Sequence, residues 1–357
     1  MSSRTGLFGL LLLCTTQLSA CYVCRQGYEQ LRLLSLQQPV AEILSDSRVP
    51  EAIREKLRLI HSAKKFAEDS VGLRVTRNYQ TYVPLQRDAV TYVVSAAYQD
   101  RLVPYEWWFP IVGHVPYKGF FERESAVAEQ ASLEESGLDT SLRGVSAFSL
   151  LGFLPDPVYQ PFLNHPPATL VNVVIHEITH ATVFIAGEAS FNEGFATFVG
   201  NQGALDFFQA QGATGAALLR ETRAAQGASR QFSVFIQQLK KELNTLYTSA
   251  LSTEEKHQKR RAIFLKARER AREQASREIA NHALRHFAEG TVNNATLLAY
   301  GTYYEHLDDF ERAHERLGGN LRATVTFFRD VVARQPAPGQ YLRLWLRQGA
   351  SGSGLSR

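Results

Sequence analysis

The segment 171–185, VNVVIHEITHATVFI, carries two histidines and a glutamate at a spacing that suits metal chemistry. Residues four apart on a helix share one face and are separated by a rise of about 6 Å, so His176 and His180 can ligate the same ion. Glu177 lies at the edge of that face, where it can accept a proton from a metal-activated water without being a ligand. We therefore predict one Zn²⁺ ion bound by both imidazoles, with Glu177 as the general base.

The apolar surroundings of these residues favour a metal site. Two histidines and a glutamate in an almost wholly apolar helix would be costly to bury without a partner. The alternative, two hydrogen-bonded core histidines and a surface glutamate, stays open on the pentapeptide alone. The apolar flanking residues are Val173, Val174, Ile175, Ile178, Val183, Phe184 and Ile185.

A catalytic zinc ion needs a third protein ligand. No histidine or aspartate lies between residues 181 and 205, which leaves Glu188 and Glu193. Glu188 follows Gly187, the predicted end of the helix, and is too close to fold back easily. Glu193 is predicted in the first turn of the next helix, which can return antiparallel, so it is the predicted third ligand. The competing reading is that Ser190 and Glu193 form a capping box, S-x-x-E.

The elements that position these residues follow from periodicity and composition. Two helices are predicted, at about 27–44 and 50–69, then β-branched and aromatic strand-like segments, then a strand at 143–153 before the HEITH helix at 167–187. The rest is mainly helical, which gives an α+β class. The predicted division is 1–20 signal peptide, 21–74 N-terminal helical segment, 75–200 catalytic core, 201–345 helical region and 346–357 flexible tail.

The N-terminus has the pattern of a secretion signal. One basic residue precedes the apolar run LFGLLLLCTTQL, and Leu18-Ser19-Ala20-Cys21 resembles the lipobox of bacterial lipoproteins. The resemblance implies cleavage before Cys21, its acylation, and a membrane-anchored protein of the bacterial cell envelope. Tyr22, where inner-membrane retention would favour aspartate, points to the outer membrane if the source has one. An ordinary signal peptide or a short anchor helix are the alternatives.

Composition excludes several other classes. Hydrophobic residues make up 45% and charged residues 21% of the chain, as in an ordinary globular protein. Three cysteines, two of them in or next to the signal, support neither a disulfide scaffold nor a cysteine-based zinc site. A long helix at about 252–287 is rich in lysine and arginine. A solvated face explains it better than anionic lipid or nucleic acid, so no nucleic-acid partner is predicted.

H-E-x-x-H followed by Asn192-Glu193-Gly194-Phe195-Ala196 resembles the gluzincins, zinc peptidases with two histidine ligands and one glutamate. Twelve residues separate His180 from Glu193, fewer than in the leucyl- and alanyl-aminopeptidase branch. More closely, residues 21–335 resemble an aminopeptidase family of bacterial lipoproteins. The resemblance implies a zincin-like core and a peptide substrate. The matching stretches are PYKGFF, RGVSAFSLLGFLPDPV, HEITH, FNEGFATFVG and NNATLLAYGTYYEHLDDFE.

The gluzincin resemblance also implies roles for residues outside the helix. In related gluzincins a downstream tyrosine or histidine often stabilises the oxyanion. Of the clustered Tyr300, Tyr303 and Tyr304, Tyr303 is the predicted donor, with aromatic packing as the alternative. The strand before the HEITH helix, at Ser146, Ala147 and Phe148, would pair with an extended peptide, unless it is ordinary sheet core. Tyr117 is a weaker candidate for substrate contact. Three functions remain open: an aminopeptidase, an envelope endopeptidase or amidase, and a noncatalytic zinc-binding lipoprotein.

Overall fold

The protein is described from a computed structural model. The structure describes residues 22, 25–74, 76–109, 113–146, 155–277, 281–304 and 307–350, with 302–304 and 349–350 described by their backbone alone. Helices dominate, and short strands form three small sheets. The predicted α+β class is confirmed.

The N-terminal segment contains three helices where two were predicted. Its elements are α1 (residues 25–35), β1 (Gln38–Pro39), α2 (Val40–Ser45), α3 (Glu51–Phe66) and a π-helical turn (Ala67–Val71). The predicted first helix is divided, since α1 ends at residue 35 and α2 begins directly after Pro39, a residue that lacks the N–H needed within a continuing helix. The second is confirmed: it begins directly after Pro50.

The strands lie mostly in the first half of the chain. Their bounds are β2 (Thr81–Val83), β3 (Thr91–Ala97), β4 (Trp107–Phe109), β5 (Gly113–Val115), β6 (Tyr117–Phe120), β7 (Asp139–Val145) and β8 (Val158–Tyr159). Strand β2 lies between β1 and β8, antiparallel to β1 and parallel to β8, and β4 and β5 form an antiparallel pair.

The largest sheet is antiparallel, with β3 between β6 and β7. Its register places Val94 opposite Leu142 on one side and Lys118 on the other. Among the described strands, β7 is therefore an edge strand. It begins at Asp139, four residues before the predicted start at Arg143, and the predicted part from residue 147 to 153 lies outside the described residues.

Helix α4 (Arg123–Glu135) lies between β6 and β7, and the other helices follow β8. They are α5 (Pro167–Thr182), α6 (Ala189–Ala210), α7 (Ala216–Tyr247), α8 (Thr253–Arg277), α9 (His282–Glu289), α10 (Asn294–Tyr304), α11 (Leu307–Arg316), α12 (Leu321–Asp330) and α13 (Pro338–Ala350). The predicted helix 252–287 is divided, because Asn281 caps a new helix by accepting a hydrogen bond from the Leu284 N–H. Within the residues that the structure describes, no helix has both the length and the apolar character needed to span a bilayer.

Two large apolar clusters hold the helices together. The first joins α3, α5, α6 and the C-terminal helices α11 to α13, and it surrounds the HEITH helix. The second joins α7 to α10, where the basic helix α8 buries Phe264, Ala267, Ala271 and Ala275 at three- and four-residue spacing. The HEITH helix thus lies in a core built from both ends of the chain, which keeps its backbone fixed.

Candidate metal centre

Helix α5 presents the HEITH residues on the side that faces away from its most buried positions. Val174, Ile175 and Ile178 are buried, whereas His176, Glu177 and His180 are partly accessible. Such a pattern on one helix places the three polar side chains at the margin of the apolar core rather than inside it. The histidine and glutamate side chains therefore share an accessible surface.

Helix α5 ends at Thr182, five residues before the predicted end at Gly187. The turn after α5 is held by two hydrogen bonds between the Asn192 side chain and the backbone of Ile185. Its amide oxygen accepts from the Ile185 N–H at 2.9 Å, and its amide nitrogen donates to the Ile185 carbonyl at 2.7 Å. Gly187 lies within this turn at a φ of 82°, a conformation that favours glycine.

The turn brings helix α6 back along α5 and with it Glu193. Helix α6 begins at Ala189, so Glu193 lies in its second turn and not its first. The N-cap position is Glu188 and not Ser190, and no side chain caps the helix, so the capping-box alternative for Ser190 and Glu193 is wrong. The Glu193 carboxylate instead faces α5, where it lies 3.4 Å from Nε2 of His176.

His176, His180 and Glu193 meet at one point. The two Nε2 atoms are 3.1 Å apart, and Glu193 carboxylate oxygens lie 3.4 Å from Nε2 of His176 and 3.5 Å from Nε2 of His180. A tetrahedral zinc ion with bonds of about 2.0–2.1 Å separates its ligand atoms by about 3.3–3.4 Å. Among the described residues these three form the one group able to hold a metal, so the donor set and its spacing fit zinc.

The close approach of α5 and α6 depends on small residues. A Cβ atom at Gly200 would lie 2.8 Å from the Asn172 carbonyl oxygen and 3.2 Å from Cβ of His176. Across the same contact, the His176 ring donates a hydrogen bond to the backbone carbonyl of Ala196. Since Nε2 of His176 faces Glu193, the donor is Nδ1, which leaves Nε2 for a metal. The buried Nδ1 of His180 has no such partner among the described residues.

The charges of the triad are strongly coupled. Burial opposes protonation of His176, but the hydrogen bond with Glu193 and the charges of Glu177 and Glu193 outweigh it and raise the pKa of His176. Burial likewise opposes ionisation of Glu193, yet His176, His180 and Arg143 together lower the pKa of Glu193. Without a cation, the site therefore favours the pair of a protonated His176 and an ionised Glu193. A bound cation would replace that proton.

His180 and Glu177 are shifted in the sense that zinc chemistry requires. Burial, followed by the charge of His176, lowers the pKa of His180 to about 4, so this ring is neutral at pH 7, as a ligand must be. Burial raises the pKa of Glu177 to about 7; His176 opposes this shift, and the charges of Glu193 and Asp156 add to it. A general base works best with a pKa near the operating pH.

Three residues distant in sequence complete the surroundings, and sequence reasoning gave none of them a role. Asp156 acts electrostatically on Glu177, Glu177 acts on Tyr79, and Arg143 acts on Glu193. Arg143 and Asp156 both lie in the RGVSAFSLLGFLPDPV stretch, and the family resemblance of that stretch could have indicated a role for them at the site. Nothing in the sequence around Tyr79 indicated such a role. Three carboxylates converge here, and a divalent cation would offset their charge.

The model of the family described as Putative aminopeptidase matches residues 21–338 of the chain. The chain belongs to this family. Membership in this aminopeptidase family points to peptidase activity and to a peptide substrate. Comparisons with the curated proteins and with the solved structures gave no match.

The other residues predicted for this aminopeptidase family member are distributed as follows. Glu188 is exposed at the start of α6 and outside the metal group. Ser146 follows β7, and its hydroxyl lies 2.7 Å from Nε2 of His165, just before α5. Tyr117 is 52% exposed on β6, across β3 from β7. Ala147, Phe148, Cys21 and the side chain of Tyr303 lie outside the described residues.

The backbone at residue 303 belongs to α10, which packs against α6 and the β3–β7 part of the sheet. Tyr300 on the same helix is part of the second apolar cluster, where its ring contacts Phe232 and its hydroxyl lies 3.2 Å from Nδ1 of His286. For Tyr300, the packing alternative is therefore the better description. Tyr303 as oxyanion donor stays a prediction.

Proposed function

We propose that the protein is a zinc-dependent metallopeptidase of the gluzincin type, with a zincin-like core, acting as an aminopeptidase. The observation that carries the proposal is the spacing of 3.1, 3.4 and 3.5 Å among the ligand atoms of His176, His180 and Glu193. Two neutral imidazoles and one carboxylate would hold a zinc ion with a formal charge of +1, which could activate a water molecule. Family membership supports a peptide bond as the bond that is cleaved.

Each residue has a defined task in this reaction. A bound zinc ion supplies the Lewis acidity that lowers the pKa of a water molecule. Glu177 accepts the proton of the water as it attacks the substrate carbonyl and delivers that proton to the leaving amine. The Tyr303 hydroxyl donates to the oxygen that gains negative charge. The edge strand β7, with Ser146 at its end, pairs with the extended peptide.

The noncatalytic alternative explains Glu177 poorly. A structural zinc site is closed by four protein ligands and has no use for an acidic residue beside it. Here the described residues supply three ligands, and Glu177 is half-buried next to them with its pKa raised to about 7. Burying a carboxylate costs free energy. A role in proton transfer explains its presence beside the ligands better than a structural role does.

The proposal is tested by bound zinc and peptide hydrolysis in the wild type, Glu177→Gln and Glu193→Ala. We expect Glu177→Gln to keep zinc and to lose activity by at least about 100-fold, as is typical for removal of a general base. Glu193→Ala should weaken zinc binding. Full activity in Glu177→Gln would contradict the mechanism, and unchanged zinc affinity in Glu193→Ala would contradict the ligand assignment.

An envelope endopeptidase or amidase is the second candidate, favoured by one feature of the site. An aminopeptidase must accommodate the free ammonium group of its substrate, which a nearby cation disfavours. The exposed guanidinium of Arg143 acts electrostatically on Glu193. Paired free and N-acetylated peptides separate the two candidates. An aminopeptidase cleaves the free peptides alone, and an endopeptidase also cleaves the acetylated ones.

The lipid anchor at Cys21 belongs to the same proposal and locates the enzyme in the cell envelope, at the outer membrane if the source has one. The next residue, Tyr22, packs between the rings of Phe109 and Phe120 and donates a hydrogen bond to the Gly119 carbonyl at 2.6 Å. An anchor at this position would hold the folded body close to the bilayer. Mass spectrometry of the mature N-terminus and membrane fractionation of Cys21→Ser test this part; a Cys21→Ser protein that remains fully membrane-bound would refute it.

A further inference from the structure

Helix α6 carries a strip of polar side chains that leads away from the metal group. Residues 191–201 are buried except for Glu193, Thr197 and Asn201, which are partly accessible. Their four-residue spacing places these three side chains on one face of the helix. The strip therefore begins at the ligand Glu193 and ends at Asn201, about two turns further along α6.

Helix α5 carries a matching strip that runs in the opposite direction. Asn172 lies one turn before His176 on the same face, and it is partly accessible as well. Its side-chain nitrogen donates to Oδ1 of Asn201 at 2.8 Å, which joins the two strips at their far end. A Cβ at Gly200 would lie 3.3 Å from Oδ1 of Asn172 and 3.2 Å from Cβ of His176. The asparagine pair is therefore a direct neighbour of the metal group.

The asparagine pair keeps hydrogen-bonding capacity beyond its mutual bond. Each carboxamide has an oxygen that accepts two hydrogen bonds and a nitrogen that donates two, and the mutual bond uses one of each. Among the described residues no other hydrogen bond reaches either carboxamide, while Gln226 of α7 donates to the backbone carbonyl of Asn201 and fixes its place. An apolar ligand would leave these groups unpaired at a cost in free energy, whereas an amide or hydroxyl would satisfy them.

We propose that Asn172 and Asn201 form a subsite for a substrate side chain next to the scissile bond, and that this subsite selects neutral hydrogen-bonding side chains, above all carboxamides. One helical turn separates Asn172 from His176 by about 6 Å, which an extended peptide spans with about two residues. The proposed pairing with β7 occupies the main chain of the substrate, so a side chain is left for the asparagine pair. The inference rests on the proposed function, since it takes the metal group as the place of cleavage.

Hydrolysis of matched peptides by the zinc-loaded full-length protein provides the first test. The peptides differ only in carrying asparagine or leucine, two side chains of similar shape, at one position beside the scissile bond. We expect kcat/KM to favour asparagine about 10- to 100-fold at one such position, the range for leaving polar groups of a site unpaired. Equal kcat/KM values, or a preference for leucine, at every position would overturn the proposal.

Substitutions in the pair test whether these two residues cause the preference. Asn172→Leu and Asn201→Ala should lower kcat/KM for the asparagine peptide more than for the leucine peptide. Gln202→Ala is the matched control, because Gln202 is adjacent on α6 but bonded to Asp206, and it should keep the preference. A merely structural role of the pair would change stability or zinc content and leave the ratio between the two peptides unchanged. An unchanged ratio in both variants therefore overturns the proposal.

Peptide binding separates this inference from the proposed function. Calorimetry on zinc-loaded Glu177→Gln measures the affinity for the same two peptides without turnover. We expect tighter binding of the asparagine peptide, and the added substitution Asn172→Leu should remove the difference. Equal affinities overturn the subsite, whatever the wild type hydrolyses. Absence of hydrolysis by the zinc-loaded wild type would instead overturn the proposed function, and the binding comparison would still test the subsite.

Discussion

At the scale of single residues, the shifted pKa of Glu177 makes the stability of the metal-free protein depend on pH. The folded protein raises this pKa from 4.5 to about 7, so it holds the proton more tightly than the unfolded chain. That stabilisation is complete below about pH 4.5 and is lost as the pH rises through about 7. Glu177→Gln cannot ionise. We therefore expect the variant to gain stability relative to the wild type between pH 5 and pH 8.

Urea unfolding at both pH values, with zinc removed, measures this difference. Glu188→Gln serves as the matched control for loss of a carboxylate, because Glu188 is exposed and outside the metal group. If the stability difference between Glu177→Gln and the wild type is the same at pH 5 and pH 8, Glu177 does not titrate as described.

The residues of the centre differ in how well the sequence predicts them. His176, Glu177 and His180 follow from helical periodicity within five residues, and Glu193 from the absence of other ligands nearby. Tyr79 and Asp156 could not be predicted, since 77 residues separate them and they meet through hydrogen bonds between two loops. Local spacing carries information over a helical turn and very little beyond it.

At the scale of elements, the approach of α5 and α6 sets the distances within the triad. A Cβ at Gly200 would meet the Asn172 carbonyl and the Cβ of His176. We expect Gly200→Ala to destabilise the protein by about 1–3 kcal/mol, as overpacking does, and to weaken zinc binding. Gly227→Ala is the control: its Cβ meets nothing within 4 Å, and alanine in place of a helical glycine should add about 0.5–1 kcal/mol. Equal effects of the two substitutions would contradict this packing.

The turn between α5 and α6 depends on the Asn192 side chain. Asn192→Ala leaves the N–H and C=O of Ile185 without their partners, so we expect a loss of about 2 kcal/mol or more and weaker zinc binding. Chemical unfolding and zinc titration measure both. Gln202→Ala, on the same helix but bonded to Asp206 one turn away, should lower stability less and leave zinc affinity unchanged. Wild-type zinc affinity in Asn192→Ala would show that the turn does not position Glu193.

Element types were predicted better than element ends. Periodicity identified the HEITH helix and α3, because their buried faces repeat every three to four residues. The end of α5 was misplaced at Gly187, because a side chain seven residues away from Ile185 decides where the helix stops. The capping-box pattern at Ser190 failed for a related reason, since α6 begins before the predicted cap.

At the scale of the whole molecule, a buried ion pair joins the basic helix α8 to the edge strand β7. The Arg260 guanidinium pairs with the Asp139 carboxylate, with side chains 11% and 7% exposed. Asp139 also accepts from the Asn294 N–H at 2.8 Å, which adds α10 to the junction. The basic helix therefore has a structural role at the strand that carries Arg143.

Arg260→Met would leave the Asp139 carboxylate buried without its cation. We expect a loss of about 3–5 kcal/mol in the free energy of unfolding, the range for breaking a buried pair. Arg277→Met, which removes the exposed pair with Glu273, should cost at most about 1 kcal/mol. Thermal and chemical unfolding of the two variants measure these losses. Equal losses would show that the buried pair stabilises the protein no more than the exposed pair does.

X-ray absorption spectroscopy of the zinc-loaded wild type tests the central claim most directly, because it reports the atoms bound to the ion. The account predicts one zinc per chain with two imidazole nitrogens and oxygen ligands at about 2.0–2.2 Å, and loss of imidazole scattering in His176→Ala and His180→Ala. Failure to bind zinc, or a spectrum unchanged by the histidine substitutions, would contradict a metal centre at His176, His180 and Glu193.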